Sequence, residues 1–207
     1  MTEKRRKTAK KPRRGAPRTG EPGARERILT VAARLFYRDG IRASGVDTIV
    51  EQANISKTSL YRTFETKDEL IGAVVEMQSQ RYWQWWDRIV SVDPDDPRAQ
   101  LRALLTGIGK TITNSEFRGC PFIKTAFEFP HDAHPGGREA RANKIEMQRR
   151  LTEICRRMKC RTPVRLGLRL ALLINGAYMS ALVTDPEEIR TELIRSALAL
   201  VEPAADS

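Results

Sequence analysis

The chain has little of the chemistry that secreted, membrane-borne or catalytic proteins usually advertise. Cysteine occurs three times, an odd number without a C-x-x-C pair. That describes no disulfide framework, and a reducing cytoplasm is the expected compartment. Histidine occurs twice, His131 and His134, both in the loop PHDAHPGG. Asp132 or Cys120 would have to complete a metal site there. Zinc requires three or four ligands on rigid elements with supporting partners, which a Pro/Gly loop does not supply, so no metal and no cofactor are expected. There is no G-x-S-x-G, no P-loop and no metal-spaced histidine set, so no enzyme is expected. The most apolar run, Leu170 to Val183, has 14 residues and contains Asn175, Tyr178 and Ser180. It is too short and too polar to span a membrane and reads as a buried helix. No apolar segment follows the basic start, which argues against a secretory signal.

What the chain has in excess is positive charge, and that charge is localised. Of the net +11, residues 1–23 carry +7, from nine Lys or Arg against two Glu. This stretch, rich in Lys, Arg, Pro and Gly, cannot offset its ordering entropy by burying apolar surface and is expected to be disordered. It reads either as a solvated tail or as an arm that contacts phosphates or the minor groove. The whole chain is 40% hydrophobic, enough for a core.

Two short helix patterns between Gly45 and Glu69 organise the remainder. Val46, Ile49, Val50 and Ala53 recur at i, i+3, i+4 and i+7, one helical face. Asn54 follows, a residue that tolerates the left-handed conformation at a helix exit. Ser56 can cap a second helix in which Leu60 and Phe64 face inward, while Lys57, Thr58, Ser59, Tyr61 and Arg62 stay outside. Thr66 and Glu69 form a T-x-x-E capping box for a third. The whole is a helix-turn-helix pattern. Before it, Ile28, Ala32, Leu35 and Phe36 predict a packing helix from Ala24 to Asp39-Gly40. A recognition helix of this kind presents its amino-terminal side chains to the major groove, where Lys57 can donate to guanine and Thr58 and Ser59 can bond bases or phosphates.

At these residues the sequence resembles the TetR family of bacterial transcriptional regulators. Gly40, Val46-Asp47-Thr48-Ile49, Asn54-Ile55-Ser56-Lys57, Leu60-Tyr61, Phe64 and Lys67 fall where that family's amino-terminal pattern places its helix end, capped helix, turn, serine-lysine start, tyrosine, phenylalanine and lysine. Gly45, Val50 and Asn54 depart from it, standing where a capping Ser or Thr, an Ala and a Gly are usual. Gly45 leaves Ser44 as the nearest hydroxyl for a phosphate. The resemblance implies an all-α protein, with a helix-turn-helix DNA-binding domain over 24–70 and a helical effector-binding and dimerisation domain over 71–203. It implies phosphate contacts from Tyr61 and Lys67.

The second domain offers several candidate ligand contacts. Tyr82, Trp83, Trp85 and Trp86 crowd one helix; Trp83 and Trp86, three apart, can share a face, and Trp85 must point elsewhere. The pair is either core or the wall of a cavity for an aromatic, apolar or cationic compound. FRGCPFIKTAFEF, residues 117–129, resembles the GCPF-type stretch of one TetR-like subgroup, where it belongs to the effector-binding domain. Phe117, Phe122 and Phe127 are candidate walls with Ile123 and Phe129, Glu128 is a candidate polar anchor, and Tyr178 a further candidate effector contact; core packing is the alternative for the apolar ones. Cys155 and Cys160, five apart, are expected on different sides of a helix turn. In the helix over 138–160, Ile145, Leu151, Ile154 and Met158 are expected inward. The last two helices are too apolar for exposed faces, and the resemblance implies that they pack against a second copy, helped by Gly176, Ala177, Ser180 and Ala181. The expected partners are therefore a palindromic double-stranded operator, a second copy and a small-molecule effector that releases the operator, with no membrane. The competing functions are nonspecific nucleic-acid binding driven by the tail, or an enzyme on the helical domain using His131 or Glu128.

Overall fold

The computed structural model describes residues 23–131 and 133–202. The disorder expected of residues 1–22 and the metal role weighed for Asp132 lie outside the described residues. Among those described there are nine helices and no strand: α1 Ala24–Asp39, α2 Val46–Gln52, α3 Lys57–Thr63, α4 Lys67–Val90, α5 Pro97–Ile112, α6 Pro121–Glu128, α7 Pro135–Arg157, α8 Pro163–Ser180 and α9 Pro186–Val201.

Local chemistry accounts for most helix starts. Proline opens α5 to α9, a position where its missing N–H has no intrahelical partner to lose. Asp96 Oδ1 accepts from Arg98 N and Ala99 N at 2.9 Å each, and Asp185 Oδ1 accepts from Glu187 N at 2.9 Å. Ser56 Oγ accepts from Ser59 N, and Thr66 Oγ1 from Glu69 N, each at 3.1 Å. Asn54 leaves α2 with φ +50°. Gly45, preceding α2, provides no side-chain cap.

The small amino-terminal unit is α1 laid across α2 and α3. Ile28, Ala32, Leu35 and Phe36 are buried together with Ile49, Leu60 and Phe64, and Arg34 Nη2 donates to Gln52 Oε1 at 2.8 Å. Helix α4 starts in this unit and runs without interruption into the larger one, so the expected boundary between residues 70 and 71 falls inside a helix. There α7 packs extensively on α8, α4 and α6, and α5 on α9. A close approach of α8 to α7 is built on Gly167, where a Cβ would stand 2.2 Å from Thr152 Oγ1 and 2.8 Å from Thr152 backbone atoms.

Two expectations fail here. Ile145 is 70% exposed and Met147 takes the inward place on α7, because the helix begins at Pro135 and its contact stripe runs through Ala140, Asn143, Met147 and Leu151. Cys155 and Cys160 are not separated by a helix turn. Lys159 adopts φ +57° and Cys160 N donates to Cys155 O at 3.1 Å, which folds the chain back so that the two thiols neighbour each other; burial above all pushes the Cys155 thiol up to about 12.

Candidate nucleic-acid interface and the cavity behind it

Helix α3 is seated by Leu60, fully buried, and by Phe64, 2% exposed at its carboxy-terminal cap. Arg25 lies over the Phe64 ring at 5.6 Å. That seat leaves Lys57, Thr58, Tyr61 and Arg62 exposed along one side, with Ser59 half-buried. Tyr61 is 43% exposed, so its ring leans on the protein while its edge meets solvent. Lys57 Nζ pairs with Asp47 Oδ1 at 2.9 Å. An exposed pair of this kind is worth little and exchanges readily for a phosphate or a base.

Two residues expected at this interface have partners within the protein. Ser44 is 4% exposed and its Oγ donates to Gly40 O at 2.7 Å; its hydroxyl closes the α1–α2 turn and is not offered to a phosphate. Lys67 is half-buried and its Nζ donates to Ile41 O at 2.9 Å. It thereby ties the start of α4 to the same turn with one of the three protons an ammonium carries, leaving two for a phosphate.

Behind the reading head, α4, α5, α6, α7 and α8 enclose a cavity of about 330 Å³ lined by Tyr82, Trp85, Phe117, Phe122, Lys144 and Tyr178 among others. The volume is at the lower end of the ~300–1,000 Å³ usual for small-molecule sites. Phe117 stacks on Tyr178, centroids 6.1 Å apart, and Phe122 meets Tyr82 edge-on at 6.0 Å. Burial raises the Tyr82 and Tyr178 hydroxyls well above the usual tyrosine value, each further raised by charge on its neighbours. Both stay protonated.

Several expected wall residues stand elsewhere. Trp86 is 2% exposed in the core. Trp83 packs edge-on to it, centroids 5.8 Å apart, with the Arg150 guanidinium 4.4 Å over its ring. The two share a face, as their spacing requires, but that face looks away from the cavity and Trp85 is the tryptophan that lines it. The missed signal was Gln78, Arg81, Tyr82 and Trp85, at i, i+3, i+4 and i+7 on α4, all in the lining. Phe127 is 76% exposed and contributes no wall. Phe129 stacks on His134 at 3.7 Å instead, and His134 Nδ1 accepts from Gly137 N at 3.3 Å as the cap of α7. No group of three or more metal-capable side chains gathers among the described residues.

Glu128 is neither a cavity anchor nor a solvated residue. Its carboxylate accepts from Ile41 N at 3.5 Å and Arg42 N at 3.2 Å, and Arg42 Nη2 donates to its carbonyl at 3.0 Å. One turn earlier Lys124 Nζ donates to Tyr37 O at 2.9 Å, and Arg118 N donates to Tyr37 Oη at 2.8 Å. Helix α6 and the segment before it therefore grip the end of α1. Tyr37 itself lines the cavity, a residue of the amino-terminal unit that nothing in its sequence neighbourhood singled out.

A buried α1, a capped two-helix turn and an exposed second helix define a helix-turn-helix protein. Residues 28–74 match the family described as bacterial regulatory proteins, tetR family. A TetR-family transcriptional regulator from Streptomyces coelicolor superposes with a TM-score of 0.82 at 29% identity, over 86% of this chain and 94% of that one. The amino-terminal residues thus match the TetR family model, and the described fold is similar to that of a TetR-family regulator. The HTH-type transcriptional repressor KstR2 of Rhodococcus jostii is 33% identical over 88 residues, 42% of this chain and 43% of that protein. AcrR of Shigella flexneri, an HTH-type transcriptional regulator, is 26% identical over 45% of this chain and 44% of its own. The chain thus spans less than half the length of the curated relatives it matches. Reduced NemR of E. coli, with a TM-score of 0.75 and 18% identity over 86% of this chain and 95% of that one, shares the fold. No helix among the described residues is long and apolar enough to cross a membrane.

Proposed function

We propose that the protein is a sequence-specific DNA-binding transcriptional regulator, a homodimeric repressor that leaves a palindromic operator when a small molecule enters the cavity. The observation that carries the reading is α3 itself: anchored by Leu60 and Phe64, capped by Ser56, and exposing Lys57, Thr58, Tyr61 and Arg62 together. In a docked complex Tyr61 and Arg62 bind phosphates and set the register, while Lys57 and Thr58 meet base edges. KstR2 is named a repressor, which supports the sign of regulation.

The second copy is proposed to cover α8 and α9. Between them runs an open groove of about 790 Å³ lined by Leu172, Leu173, Gly176, Ile189 and Leu200 among others. Leu172 is 63% exposed, and a Cβ on Gly176 would meet nothing within 4 Å. Two reading heads related by a two-fold axis call for a palindromic site. A ligand that prefers the form with badly spaced heads lowers operator affinity by that preference. Tyr37 and α6 supply the mechanical link, since the cavity wall and the end of α1 are one structure.

The test is recovery of short genomic fragments bound by the full chain at near-physiological salt, where nonspecific binding is weakened. A shared palindrome is expected. Tyr61→Ala then weakens binding to every sequence, and Lys57→Ala also relaxes one base position by about 1–3 kcal/mol. Recovery without sequence preference, lost on removing residues 1–23 and indifferent to Tyr61→Ala, would instead make the protein a nonspecific binder driven by its tail.

A further inference from the structure

The cavity's charge is one-sided. Its lining includes Lys144 and Arg81 but no aspartate or glutamate. Lys144 is half-buried on α7, with its Nζ 5.8 Å from the Phe122 ring centroid and 5.4 Å from that of Tyr178. It donates to Asn175 Oδ1 at 3.0 Å, a neutral acceptor for one of the three protons an ammonium carries. A partly desolvated cation with only a neutral partner gains strongly from an incoming anion. Tyr82 Oη is a second unfinished group. It is buried beside the Tyr178 hydroxyl without a properly directed hydrogen bond of its own. Held protonated by burial, it is a donor waiting for an acceptor. Around these two polar atoms the walls are aromatic: Trp85, Phe117, Phe122 and Tyr178.

We propose that the cavity binds a flat aromatic molecule carrying one carboxylate, the ring among Trp85, Phe117 and Phe122 and the anion on Lys144 Nζ and Tyr82 Oη. This rests on reading the cavity as the effector site. A volume of about 330 Å³ limits the occupant to a small ligand. A cationic aromatic is disfavoured: the rings would attract it, but Lys144 repels it and the lining supplies no countercharge.

Three probes of one shape separate the possibilities: naphthalene-2-carboxylate, naphthalene-2-carboxamide and (2-naphthylmethyl)trimethylammonium, titrated into the full chain by calorimetry. The carboxylate is expected to bind about 10- to 100-fold more tightly than the carboxamide, the range of a charge-assisted hydrogen bond. Lys144→Met should level the two by weakening the carboxylate far more than the carboxamide, and Lys144→Arg should retain most of the preference. Tyr82→Phe, which keeps the ring, should weaken the carboxylate several-fold and decides the matter if Lys144→Met does not fold. Equal binding of carboxylate and carboxamide, tighter binding of the cation, survival of the preference in Lys144→Met, or no binding of any probe overturns the proposal. If the carboxylate binds through Lys144 but leaves operator affinity unchanged, the ligand class stands and the effector reading fails.

Discussion

Removing the Glu128 carboxylate should loosen the turn between α1 and α2 without disturbing the seat of α3. The carboxylate is the acceptor for Ile41 N and Arg42 N at 3.5 and 3.2 Å. Hydrogen bonds to a charged group contribute about 1.5–3 kcal/mol when short and well shielded. These two are longer than the ~2.7–2.9 Å of strong charge-assisted bonds, and Arg42 is exposed, so together they are worth about 1–2 kcal/mol. That corresponds to about a 5- to 30-fold change in a local opening equilibrium. In Glu128→Ala, native-state amide exchange at Ile41 and Arg42 should accelerate by that factor, whereas the Leu60 amide, in a helix whose buried face is untouched, should keep its rate. Glu128→Gln retains one acceptor oxygen and should fall between. A functional assay follows from the same contact: the variant should bind operator but respond less to ligand, because α6 no longer holds the turn firmly. Unchanged exchange at both amides would refute the reasoning, as would a uniform acceleration that includes Leu60.

Three further measurements probe other contacts. Gly167→Ala places a methyl against the Thr152 backbone, where little can yield; an overpacking cost of about 1–3 kcal/mol should lower the melting temperature by about 2–10 °C, and an unchanged melt would mean α7 and α8 lie further apart. Gly176→Arg has open space in the single chain, so the subunit should fold while the dimer dissociates in sedimentation at micromolar concentration; a dimer of parental strength would move the interface away from α8. Arg149 and Arg150 hold the Glu146 carboxyl at about 2, below its ordinary 4.5, so this group's stabilisation is complete above about pH 4.5 and is lost as pH falls toward 2. Urea midpoints of Glu146→Gln should therefore decline less steeply than those of the parent between pH 5 and 2, and parallel curves would show that the pair contributes nothing.

How far the sequence foretold the molecule depended on how local the cause was. Helix starts were legible because a Ser56, Thr66 or Asp185 cap acts on amides two or three residues away. The Asn54 turn was legible for the same reason. The cavity was legible only in part: Phe117, Phe122 and Tyr178 line it, while Trp83, Trp86, Phe127 and Glu128 do not. Helical spacing states which side chains share a face but not which neighbour that face meets. For Trp83 and Trp86 the shared face was correctly paired and wrongly addressed. Glu128, Lys67 and Ser44 have backbone partners that the sequence reading did not foresee. Each partners a backbone group of the Gly40–Arg42 turn, and for Glu128 that group is 86 residues away in sequence. No local pattern announces such a partner.

The place of Tyr37 has a consequence for building with this scaffold. Chimeric regulators are assembled by joining one protein's operator specificity to another's inducer response, on the assumption that a cut in the chain separates the two. Here α1 packs with α2 and α3 and, through Tyr37, also lines the cavity. A graft of residues 24–70 from a relative replaces a piece of the chamber wall along with the head, and also replaces the oxygens that Lys124 and Arg118 engage. Such a hybrid keeps the cavity of its body only if the transplanted helix brings a tyrosine to that position.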